Sequence, residues 1–61
     1  MNATAYIQGC GGVKEIEGDT IADIRKQAIE WQRFVNFCQG KDYTMVIDYG
    51  TKGKERIGWR R

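Results

Sequence analysis

GDTIADIRKQAIEWQRFVNFCQG, residues 18–40, decides the fold of this chain. Within it Ile21, Ile24, Ala28, Trp31, Val35 and Cys38 recur at alternating steps of three and four, so all six fall on one face of an α-helix, with Phe34 widening the stripe. The ends of the pattern carry their own signals. Thr20 can act as N-cap, its hydroxyl accepting the backbone N–H of Asp23. The Thr-x-x-Asp spacing approximates a capping box, and Asp19 and Asp23 both suit the positive end of the helix dipole. Gly40 stands where a left-handed C-cap residue belongs. The reading predicts an amphipathic helix over residues 20–39.

Outward from the helix, glycine supplies the punctuation and there is no Pro. ATAYIQ (3–8) contains the β-formers Thr4, Tyr6 and Ile7, and VKEIE (13–17) can return antiparallel to it. Between them Gly9, Gly11 and Gly12 permit a turn with positive φ. After the helix, DYTMVIDY (42–49) alternates, with Tyr43, Met45, Ile47 and Tyr49 on one face and Thr44, Val46 and Asp48 on the other. KERIGWR (54–60) alternates again, with Ile57 and Trp59 inward and Lys54, Arg56 and Arg60 outward. The expected order is ββαββ. This is an α+β fold with one amphipathic helix packed on a small, mainly antiparallel sheet, a single domain over residues 1–61.

Size limits what such a domain can do unaided. A chain of 61 residues buries about 60% of the surface its unfolded form exposes. A core this small rarely supplies more than ~3–5 kcal/mol unless a disulfide, a metal or a partner subunit helps. The sequence has no His, and its two cysteines, Cys10 and Cys38, offer no zinc-ligand spacing. The expectation is therefore no metal and no cofactor. No apolar run approaches the ~20 residues a membrane span needs, and no signal peptide is legible, so the chain is expected to be cytoplasmic. Self-association, by default a homodimer, is the expected source of further stability.

The residues also argue against an enzyme. Cys10 is the thiol on an expected loop, and no local base or cation would turn it into thiolate. The glycines at 9, 11 and 12 resemble a phosphate cradle, but they lead into a strand rather than a helix and lack a following Lys-Ser/Thr. A hairpin turn accounts for them better.

Charge is uneven along the chain, whose net charge is +2. Residues 51–61 hold Lys52, Lys54, Arg56, Arg60 and Arg61 against Glu55, whereas residues 1–50 hold five cations against seven acids. Cations beside aromatic rings make the usual surface for single strands and nucleotides. Lys52, Lys54, Arg56 and Arg60, with Tyr49 as the stacking ring, are the candidate ligand site. The corresponding function is a non-catalytic oligomeric binder of a phosphate-bearing ligand, nucleic acid or nucleotide. Ile29 and Phe37 fall on the otherwise polar side of the helix and are the candidate interface. They support the alternative, a protein-binding inhibitor or adaptor meeting an acidic partner. Accessory proteins of phages and mobile elements are often of this size and equally free of catalytic residues.

Residues 18–23, after two short strands and opening a helix, resemble the start of the helix in small HicB-type antitoxin domains. The resemblance covers six residues and the flanking strands depart from that family's pattern. No function is carried over from it.

Overall fold

The computed structural model describes residues 1–59. In these, β1 (Asn2–Ile7), β2 (Gly12–Glu17), α1 (Ile21–Gln39), β3 (Met45–Asp48) and β4 (Lys54–Ile57) follow in the expected order. A 3-10 turn at Gly50–Lys52 joins the last two strands. All four strands belong to one sheet of order β2-β1-β3-β4, each neighbour antiparallel. The ββαββ α+β reading of the sequence is correct. The helix carries the chain from β2 at one edge, across one face of the sheet, to β3 beside the first strand.

The caps behave as the sequence implies. Thr20 is extended and its Oγ1 accepts from Asp23 N at 3.1 Å, while Gly40 closes the helix at φ 66° with its N–H on the Asn36 carbonyl. The hairpin turn uses positive φ at Gly9 and Gly11. A side chain at Gly9 would also press into the Tyr43 ring, 2.9 Å from the position of its Cβ.

Strand alternation divides the sheet into two faces. Toward the helix lie Ala3, Ala5, Ile7, Ile16, Met45, Ile47 and Tyr49, which with Ile24 and Ala28 form the buried core. The opposite face is open. Across it the register sets Glu15, Thr4, Asp48 and Lys54 in one row and Val13, Tyr6, Val46 and Arg56 in the next.

The helix presents a different face from the one its apolar stripe implies. Its buried residues are Ile24, Ala28, Gln32 and Asn36, with Ile29, Trp31 and Val35 half-buried beside them. Ile21, Phe34 and Cys38, expected inward, are exposed. At 100° per residue the buried arc is turned by roughly 70° from the predicted one.

The cause lies in the connection after the helix. Tyr43 falls outside β3, so its backbone has no strand partner, and α1 covers it. Asn36 Oδ1 accepts from Tyr43 N at 3.1 Å and its Nδ2 reaches the Tyr43 carbonyl at 3.4 Å. Gln32 Nε2 donates to the carbonyls of Tyr43 at 2.9 Å and Ile57 at 3.0 Å. Buried backbone groups must be paired, and these two amides do it where the sheet ends. Two polar residues therefore turn inward and pull the helix with them.

Candidate functional site

The basic hairpin is built from its turn. Asp48 Oδ1 accepts from Gly50 N at 2.9 Å, and Gly50 and Gly53 take φ of 72° and 94°, which favours glycine. Tyr49 N donates to Gly53 O at 2.8 Å and Gly53 N to Gly50 O at 3.1 Å, closing the turn that carries Lys52. β4 then sends Lys54 and Arg56 to the open face, as the alternation predicts. Lys54 Nζ stands 4.0 Å from Asp48 Oδ2 with its side chain 69% exposed. Arg56 Nη2 donates to Gln8 Oε1 at 3.2 Å and remains exposed. Arg60, the fourth expected cation, lies outside the described residues.

Tyr49 does not join them. It shares the phase of Met45 and Ile47, so its ring enters the core on the helix side and is 7% exposed. Its hydroxyl donates to Glu55 Oε1 at 2.7 Å, and Arg25 Nε meets both oxygens of the same carboxylate at 3.2 and 3.0 Å. Burial, then the bond to Glu55, pushes the Tyr49 hydroxyl from 10.0 up to about 12. The hydrogen bond from Tyr49 holds Glu55 below the usual carboxylate range, burial opposes this, and Arg25 reinforces it. Tyr49 is a core residue with a polar tip, which corrects its assignment as a stacking surface.

The aromatic ring that does reach the open face is Tyr6, which the sequence reading passed over. It is 42% exposed and stands in the Arg56 row, across Val46. Its signal was present: Ala3, Ala5 and Ile7 alternate with Thr4 and Tyr6, so an inward Ile7 makes Tyr6 outward. The same face also holds Glu15, Glu17 and Asp48, so positive charge is confined to its β4 side.

The two proposed interface residues separate. Ile29 is half-buried and packs against the core, which corrects its placement on the polar side of the helix. The rotation of α1 that brings Gln32 and Asn36 inward brings Ile29 with them. Phe37 is 87% exposed, and Phe34, one turn before it, is 64% exposed. Beside Phe37, the Arg33 guanidinium lies 5.8 Å from the centroid of the half-buried Trp59 ring. Together with Asp42 these side chains border a cleft of about 330 Å³.

Cys10 and Cys38 are both free and exposed. No helix among the described residues is long and apolar enough to cross a membrane. Comparisons with protein-family models, curated proteins and solved structures each find no match. The resemblance at residues 18–23 therefore stays with the start of one helix.

Proposed function

We propose that this chain is a small non-catalytic binding protein whose ligand carries phosphate, nucleic acid or a nucleotide, held on the β4 side of the open sheet face. The observation that supports it is the row Tyr6–Val46–Arg56, with Lys54 next to Arg56 on the same face and Lys52 in the adjoining turn. Two strand spacings, roughly 10 Å, separate the Tyr6 and Arg56 backbones, and the length of the arginine side chain narrows that gap. A base can stack on the exposed ring while its phosphate meets the guanidinium.

Titration with labelled oligonucleotides and with ATP at two salt concentrations tests this reading. Affinity should fall as salt rises, because each cation neutralising a phosphate releases counterions. Arg56→Ala and Tyr6→Ala should each weaken binding by about tenfold, in line with one lost stacking or charged contact. Tyr49→Phe should leave affinity unchanged. Absence of binding at low salt would reject the proposal.

A second reading rests on Phe34 and Phe37, two large apolar side chains one turn apart and exposed on α1. It makes the chain an inhibitor or adaptor for an acidic protein, with Arg33, beside Phe37, at the rim of the contact. Capture of one partner that disappears on Phe37→Asp and survives Arg56→Ala would favour it over the first.

A further inference from the structure

We propose that copies of this chain associate head to tail, β2 of one molecule against β4 of the next, extending the sheet from chain to chain. The inference does not rest on the phosphate reading. It follows from the direction, the hydrogen-bond phase and the charge of the two sheet edges.

Direction comes first. Each neighbour in the order β2-β1-β3-β4 is antiparallel, so β2 and β4 run in opposite senses. A second copy in the same orientation therefore offers its β2 antiparallel to β4, with both helices on one side of the joined sheet.

Phase comes second. Met1 and Gly18 exchange both backbone bonds, Gly18 N to Met1 O at 3.0 Å and Met1 N to Gly18 O at 2.8 Å. In an antiparallel ladder bonded pairs alternate with unbonded ones. Hence Gly18, Ile16 and Lys14 turn their backbone groups toward β1, while Glu17, Glu15 and Val13 turn theirs outward. The Glu17 carbonyl already accepts from Gln27 Nε2 at 3.0 Å, with one lone pair left for a neighbouring strand. At the other edge Tyr49 N donates to Gly53 O, so Glu55 and Ile57 bond to β3 while Lys54 and Arg56 face outward. Both outward sets carry side chains on the open face, so the two edges are in register for bonding without a shift.

Charge chooses the pairing. Setting Glu17 opposite Lys54 also sets Glu15 opposite Arg56, two pairs of unlike sign on one face. The symmetric alternatives lose this. Pairing β2 with another β2 about Glu15 puts that glutamate opposite its own copy, and pairing β4 with β4 about Glu55 puts Lys54 opposite Arg56. Like charges directly opposite in a sheet are destabilising. Charged edges ordinarily deter pairing; here the signs are divided, and each edge deters itself while complementing the other. Such a contact is heterologous, so growth does not stop at a dimer. It also consumes Lys54 and Arg56, so phosphate ligands and assembly compete.

Sedimentation of the full chain over a wide concentration range decides the matter. Mass should climb past the dimer as concentration rises, and fall as salt is added. Glu15→Lys with Glu17→Lys, and separately Lys54→Glu with Arg56→Glu, should each weaken association by about tenfold or more. An equimolar mixture of the two variants should restore it, because each then meets an edge of opposite sign. If a reversal variant fails to fold by circular dichroism, Glu15→Gln with Glu17→Gln replaces it and should weaken association in the same direction. A wild-type chain that stays monomeric, a closed dimer unaffected by either variant, or a mixture that remains dissociated would overturn the proposal.

Discussion

Asn36→Leu should destabilise the fold by about 2 kcal/mol, and the double variant with Gln32→Leu by about 3 kcal/mol. Asn36 is the residue that pairs both the N–H and the carbonyl of Tyr43; leucine strands the N–H inside the structure and leaves the carbonyl to Gln32 alone. Gln32→Leu alone should cost about 1 kcal/mol, because it has an offsetting gain. Among the described residues the Gln32 Oε1 is buried without a hydrogen-bond partner, so leucine removes one unpaired oxygen while taking one bond from each of two carbonyls. The double variant should cost at least the sum of the two, since either amide alone still serves the Tyr43 carbonyl and only the double leaves it without both. A loss of 3 kcal/mol is most of what a core of this size supplies, so the double variant should be largely unfolded at 37 °C. Urea denaturation followed by circular dichroism measures this directly. An Asn36→Leu chain as stable as the parent would mean that water, not the helix, satisfies the connection.

The Tyr49–Glu55–Arg25 cluster should shape stability at both ends of the pH scale. The Tyr49 pKa is raised in the folded chain, from 10.0 to about 12, so unfolded chains lose that proton first as pH rises. Its contribution is complete below pH 10 and is lost through the interval from 10 to about 12, a fall of about 2 kcal/mol. Glu55 is shifted the other way, so its contribution is complete above its ordinary value of 4.5 and is lost as pH drops below it. In Tyr49→Phe the alkaline fall should disappear and the acid fall should become shallower, because the hydroxyl that holds Glu55 down is gone. The measurement is the difference in urea midpoint between variant and parent at each pH, which cancels the other tyrosines. A difference that stays constant from pH 8 to 12 would remove Tyr49 from this role.

The open sheet face was half legible in the sequence. Period two along residues 54–56 placed Lys54 and Arg56 outward, and that much is local geometry. The choice of Tyr49 over Tyr6 as the exposed ring failed because the sequence reading took the side chain nearest along the chain. Tyr49 is five residues from Lys54 in sequence yet on the other side of the sheet from it. Tyr6 is far along the chain, and pairing of β1 with β3 brings it into the same row as Arg56.

The segment at residues 18–40 shows the same division. Its length, its N-cap at Thr20 and its C-cap at Gly40 depend on hydrogen bonds among near neighbours, so the sequence determined them without help from the rest of the chain. Which face turned inward was decided by the tertiary structure. Apolar periodicity counts the gain from burying Ile21, Phe34 and Cys38 but carries no information about unpaired backbone groups elsewhere. The Tyr43 carbonyl and N–H had to be met by side chains on α1; Gln32 and Asn36 meet them, and Gln32 adds a bond to the Ile57 carbonyl. Pairing buried polar groups outweighed burying a few more carbons, and that preference rotated the helix.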